Sequence, residues 1–372
     1  MKKLFNKWWI LLICGLLCAC VAALLAYFGN PKNMAICIAC FIRDTAGAMK
    51  FHNASAVQYV RPEIIGIILG SFIIALVTKE FKSTGGSSPL IRFALGLIMM
   101  IGALVFLGCP LRMVIRMAGG DLNAYIALIG FILGIGTGII ALKRGFSLGE
   151  AKELNKTNGF VMPGFVLAIL IAFIAVPSLF AFSESGPGSM HAPLALSLVC
   201  ALVFGAIAQK TRMCFAGSFR NVFMAKDFTL ISTIGGLFVG LLIYNLVTGN
   251  FKLSMDGQPV AHQQVLWNIL GMYVVGFGAV LGGGCPIRQL VLTGQGSSDG
   301  AITVLGMFVG AALCHNFSLA SAGDAVDAAT GAVTLGGATP NGQIAIVICI
   351  VALFLIAFVG NKRAKSKKVK AA

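Results

Sequence analysis

Gly282-Gly283-Gly284-Cys285-Pro286-Ile287-Arg288 closes an apolar segment, 264–281, long enough to lie in a membrane. The glycine run removes side chains, and proline suits the first position of a new helix. The stretch therefore reads as one helix ending and a second, short one beginning at mid-depth. The same word stands earlier as Leu107-Gly108-Cys109-Pro110-Leu111-Arg112. Cys109 and Cys285 are 176 residues apart, as are Arg112 and Arg288. A second motif keeps nearly the same shift. Cys37 precedes Arg43 by six residues, Cys214 precedes Arg220 by six, and both pairs are offset by 177. Two independent motifs at one offset point to an internal duplication.

Composition sets the class. The chain has 372 residues, 58% of them hydrophobic and 11% charged, with a mean hydropathy of +0.93. A soluble domain carries roughly a quarter charged residues. Ten segments read as spans: 8–28, 62–78, 89–107, 122–142, 163–182, 193–209, 228–247, 264–281, 301–320 and 343–359. Four shorter apolar segments, beginning near Ala35, Pro110, Met213 and Pro286, each hold or follow a cysteine. Their length suits re-entrant helices. The expectation is an all-α integral membrane protein, a single transmembrane domain over 1–372. Repeat one covers about 8–142, a linker and helix 143–190, repeat two about 191–320, and a final helix with a basic tail 321–372. Gly130-x-x-x-Gly134 and Gly236-x-x-x-Gly240 read as helix-packing contacts.

The net charge of +16 invites a nucleic-acid reading, but its placement argues for membrane topology. Lys2, Lys3 and Lys7 precede the first span. Lys143, Arg144, Lys152 and Lys156 lie in the linker, and Lys362, Arg363, Lys365, Lys367, Lys368 and Lys370 form the tail. With both termini cytoplasmic, these groups and Lys79, Lys82, Lys210, Arg212 and Lys226 fall inside, while 183–192 and 321–341 fall outside without Lys or Arg. Four spans plus the intervening helix make an odd number, so the second repeat is expected to be inverted. Cys37 and Cys109 then enter from outside, Cys214 and Cys285 from inside. The loop between Arg43 and Pro62, with His52, Gln58 and Tyr59, reads as an outer entrance.

The chemistry rests on the thiols and arginines. A cysteine at a helix N-terminus sits where the dipole and free N–H groups favour an anion. The candidate substrate-binding residues are Cys37, Cys109, Cys214, Cys285, Arg43, Arg112, Arg220, Arg288, Gly108 and Gly284. The bland alternatives are packed bends for the Gly-Cys-Pro words and headgroup anchors for the arginines. Cys37-Ile38-Ala39-Cys40 also admits a thiol–disulfide oxidoreductase, although Cys214-Phe215-Ala216-Gly217 lacks the second cysteine. A third reading is a channel whose cysteines only pack. Cys14, Cys18, Cys20, Cys200 and Cys349 read as packing residues, and Cys314 with His315 as packing rather than a metal site. No cofactor or metal motif is present, and no nucleotide-binding or hydrolase signature.

These motifs resemble the YeeE/YedE family of bacterial membrane proteins for sulfur-compound transport. The carrying residues are Gly-Gly-Cys-Pro-Ile-Arg-Gln at 283–289, Arg-Met-Cys-Phe-Ala-Gly-Ser-Phe-Arg-Asn at 212–221, and the copy around Cys109. The stretch 285–300 looks closest to the YedE-type branch associated with selenium metabolism. The resemblance implies an inverted repeat with short helices plunging from both faces of a bacterial inner membrane. It also implies a relay of a small sulfur- or selenium-containing anion, thiosulfate in some members, past a ladder of cysteines. Cys109, Cys214 and Cys285 would be rungs, and Cys37 a fourth. A small cytoplasmic sulfur-carrier-like protein is the partner it implies.

Overall fold

The computed structural model describes residues 7–326, 330 and 332–371, with side chains through Phe358. Lys2, Lys3, Asp327 and the basic side chains of the tail lie outside the described residues. The fold is all-α. In chain order the helices are α1 (Trp8–Tyr27), α2 (Ile38–Ala48), α3 (Pro62–Val77), α4 (Pro89–Phe106), α5 (Pro110–Ala118), α6 (Leu122–Lys143), α7 (Lys156–Ala175), α8 (Leu194–Lys210), α9 (Phe215–Ala225), α10 (Ile231–Val247), α11 (Val265–Leu281), α12 (Pro286–Gly294), α13 (Ser298–Asn316) and α14 (Pro340–Ala371). Among the described residues, strands form only two antiparallel pairs, each strand two residues long.

The short helices α2, α5, α9 and α12 have 11, 9, 11 and 9 residues. At 1.5 Å per residue they reach about half-way across a hydrocarbon core of about 30 Å. Among the described residues nine helical stretches are long and apolar enough to cross a membrane. The tenth expected span is α10, whose 17 residues fall just short. Exposed apolar side chains such as Leu133, Ile140, Ile171, Ile243 and Phe354 form an outer surface suited to lipid rather than water.

Two spans differ from the sequence expectation. The last, placed at 343–359, continues as α14 to Ala371. The span placed at 163–182 is α7, which starts seven residues earlier and ends at Ala175. Asn155 caps it by accepting a hydrogen bond from the Thr157 N–H, so Pro163 lies inside the helix. The helix stops because Val176 precedes Pro177, and a residue before proline is pushed out of the helical region.

The two halves of the chain match in backbone detail. α2 and α9 start 177 residues apart, α5 and α12 start 176 apart. Left-handed residues recur at the same offsets: Ala35 with Arg212, Leu107 with Gly283, and Gly120 with Gly296. Packing is reciprocal as well. α1 packs on α10 and α8 on α3; α4 packs on α13 and α11 on α6. These pairs interchange when the helices of one half are swapped for those of the other, which supports a two-fold relation.

Glycines bring these pairs together. A Cβ on Gly130 would run into the Ile269 carbonyl, and one on Gly134 into that of Tyr273. Gly236 stands in the same relation to the Leu12 carbonyl, and a Cβ on Gly240 would meet the Ala19 side chain, so both small-residue motifs are helix contacts. Close backbone approach of this kind maximises dispersion where lipid supplies no hydrophobic drive. Gly130→Leu should therefore lower the thermal midpoint in detergent, at a cost of about 1–3 kcal/mol or more for overpacking. Gly136→Leu, on the same helix but with nothing within 4 Å of its Cβ, should melt as the parent does. Equal melting of the two variants would contradict the packing role.

Candidate functional site

The four motif cysteines are the N-caps of the four short helices: Cys37 of α2, Cys109 of α5, Cys214 of α9 and Cys285 of α12. Two of them cap directly. Cys37 Sγ accepts from the Cys40 N–H at 3.4 Å, and Cys214 Sγ from the Gly217 N–H at 3.2 Å. The cap thus survives in the second copy although the second thiol of the C-x-x-C does not. At Cys109 and Cys285, proline follows at the first helical position, where its missing N–H costs nothing.

The helix starts meet in pairs. Cys37 lies beside Cys109, and Cys214 beside Cys285. The Phe215 N–H also donates to Cys285 Sγ at 3.2 Å. Each thiol pair therefore lies where two helix N-termini point at one spot. Free N–H groups and two positive dipole ends converge there. All four cysteines are free thiols.

The glycine before each Cys-Pro makes room for the arginine after it. A Cβ on Gly108 would come 2.9 Å from Arg112 Cδ, and one on Gly284 2.8 Å from Arg288 Cγ. Gln289 holds the second bend by donating to the carbonyls of Gly282 and Gly284, both at 3.1 Å.

The two halves differ in what surrounds the thiols. Cys214, Gly284, Arg220 and Arg288 line a cavity of about 280 Å³ together with Arg212 and Asn221, and no acidic side chain lines it. Arg288 Nη1 is buried and has no hydrogen-bond partner. A wider cavity of about 630 Å³ shares Arg212, Asn221, Leu230 and Arg288, and adds Lys79, Lys82 and Lys210 against Glu80 and Asp227. Basic side chains thus line the wide cavity and the narrower one that reaches Cys214.

The first-copy half is closed. Cys37, Cys40 and Cys109 are 1% exposed or less. The Arg112 guanidinium is buried and donates to the carbonyls of Asn33, Leu107, Pro259 and Val260 and to Cys40 Sγ. Its donors are taken, so Arg112 braces the loop before α11 over the thiols. Arg43 is paired with Asp44 at 2.7 Å, and Arg61 with the other carboxylate oxygen at 2.8 Å. The expected entrance around His52, Gln58 and Tyr59 is shut. His52 and Tyr59 are buried, the His191 ring stacks on Tyr59 at 4.0 Å, and the Gln58 N–H donates to Ser183 Oγ at 2.7 Å. A cavity of about 290 Å³ on this side is lined by Lys32, Lys252, Asn33 and Pro259, and Arg112 holds the carbonyls of the last two.

Sequence reasoning gave Arg212 only a topological role, yet it lines both open cavities. Its place inside the 212–221 motif, two residues before Cys214, was the available signal. Arg61, and Arg116 with its 2.6 Å partner Asp121, carried no sequence signal, because partners 17 and five residues apart follow no motif. Among the described residues no group of His, Cys, Asp and Glu could hold a metal ion.

Residues 210–372 match the family model described as "Sulphur transport". A thiosulfate transporter, TsuA, of Spirochaeta thermophila is 30% identical over 100 residues, 27% of this chain and 29% of that protein. TsuA of Escherichia coli K12 is 29% identical over 112 residues, 29% of this chain and 30% of that protein. The chain thus matches less than a third of the length of either relative. Residues 210–372, which hold Cys214, Cys285, Arg212, Arg220 and Arg288, are thus similar to the sulphur-transport family, which supports the resemblance to the YeeE/YedE family.

Proposed function

We propose that the protein carries a small sulfur- or selenium-containing anion, thiosulfate or selenite, across a bacterial inner membrane, past two pairs of thiols in series. The observation that carries the reading is the arginine-lined cavity that ends at Cys214. A divalent oxyanion suits three guanidinium groups, which offer paired N–H donors to its oxygens. A terminal sulfur or selenium suits soft, polarisable thiols, each already supported by helix N–H groups. Discontinuous helices that aim their N-termini at an anionic substrate are a recurring transporter device. Thiosulfate transport by the TsuA relatives supports the same substrate class. The basic outer rim of the wide cavity is the face at which a cytoplasmic sulfur-carrier-like protein would meet the chain.

In this reading the second repeat is inverted, the Cys214–Cys285 pair faces the cytoplasm, and the structure is an inward-open state. Reporter fusions at Ala372 and within 183–192 test the orientation. A cytoplasmic signal is expected from the first and an external signal from the second. A cytoplasmic signal from 183–192 would overturn the inverted arrangement. Uptake of labelled thiosulfate and selenite by cells with and without the protein tests the substrate class.

A second reading has one observation in its favour. The Cys37 and Cys40 thiols are 3.0 Å apart, close enough for disulfide chemistry after a small rotation. A thiol–disulfide oxidoreductase would need both.

A further inference from the structure

Asp44 bridges two buried guanidinium groups. Arg43 donates from Nε and Nη2 to Oδ1, at 2.9 and 2.7 Å. Arg61 donates from Nε to Oδ2 at 2.8 Å, and its remaining nitrogens hold the carbonyls of Met190 and Pro187, at 3.0 and 2.7 Å. The carboxylate therefore ties the end of α2 to the 183–191 loop that shuts the Tyr59 entrance.

The second copy lacks this tie. Superposing Cys37 on Cys214 places Arg43 on Arg220 and Asp44 on Asn221. Arg61 is the N-cap residue of α3, whereas the residue before α10 is Leu230, so no arginine stands at the start of that helix. Asn221 and Leu230 both line the two open cavities. So the half with a carboxylate beside the arginine is closed, and the half with a neutral amide there is open.

We propose that Arg43 and Arg61 form a second anion site, for a small oxyanion such as the substrate, and that the Asp44 carboxylate occupies it in the closed state. This rests on the transport reading. A carboxylate spanning two guanidinium groups presents two oxygens much as an oxyanion does. Removing it alone would strand two buried positive charges. An arriving anion can take its place, so the loop is released when an anion is present and held when none is. The equivalent arginine in the open half, with Asn221 beside it, is free for the substrate.

The test uses the full-length protein in nanodiscs, where both faces are accessible, and an anionic methanethiosulfonate reagent read out by peptide mass spectrometry. In the parent, Cys214 should react and Cys109 should not. Asp44→Asn should raise the rate at Cys109 at least tenfold. A folded Asp44→Asn protein that reacts at Cys109 as slowly as the parent would overturn the proposal. Asn221→Asp, in an open and polar cavity, covers the case in which Asp44→Asn does not accumulate. It should slow the anionic reagent at Cys214 at least tenfold, and an unchanged rate there would overturn the proposal. Neither readout requires transport, so a protein that gives these rates yet takes up no thiosulfate would sink the transport reading and leave the anion site standing.

Discussion

Cys285→Ala abolishes uptake of labelled thiosulfate, whereas Cys40→Ser retains most of it: this is the largest difference expected between two cysteine variants. Cys285 Sγ lies between the Phe215 N–H and the Cys214 thiol. Alanine leaves a buried N–H without an acceptor, which costs about 1–3 kcal/mol, and breaks the series of soft donors. Cys285→Ser restores an acceptor but offers a hard oxygen, so it should recover folding more than uptake. Cys40 has no counterpart thiol in the second copy, where Gly217 stands, and its capping contribution is a backbone N–H that serine keeps. Uptake measured at matched protein levels checks the series. The oxidoreductase reading predicts the reverse order, with Cys40→Ser dead and Cys285→Ala active.

Arg288→Ala weakens thiosulfate binding at least tenfold. The guanidinium sits in the first turn of α12, lines both open cavities, and has a buried nitrogen without a partner. A charge-assisted hydrogen bond contributes about 1.5–3 kcal/mol, and each 1.4 kcal/mol is about tenfold. Lysine restores the charge without the planar fork, so Arg288→Lys recovers part of the affinity. Arg112→Ala, at the matching position, should act differently. Arg112 spends its donors on loop carbonyls, so its loss should loosen the cover over Cys37 and Cys109 rather than remove an anion ligand. Binding isotherms on the three variants separate these roles. Parental affinity in Arg288→Ala would mean that this arginine serves only as an anchor at the membrane surface.

The sequence carried the helices and the thiol sites because both depend on local signals. Apolar length marks a span, and glycine and proline around a cysteine mark where a half-depth helix begins. The duplication multiplied that signal, since Cys109 and Cys285 with their arginines repeat at one offset. Spatial partners carried no such mark. Arg43 and Arg220 look alike in sequence, yet one is paired with Asp44, a carboxylate it shares with Arg61, while the other lines an open cavity. Arg112 and Arg288 share a motif, but the loop carbonyls that engage Arg112 lie almost 150 residues away. The α7 boundary was misplaced for a local reason: Pro163 reads as a start, and the Asn155 cap ahead of it is weaker punctuation than a proline.

The central claim is that a thiol pair beside unpaired arginines passes a sulfur-containing anion. Uptake of labelled thiosulfate into proteoliposomes containing the purified full-length protein tests it most directly, with Cys285→Ala reconstituted in parallel. The account predicts saturable uptake by the parent and background uptake by the variant. Equal uptake by both, or no uptake of thiosulfate or selenite by a folded parent, would contradict it.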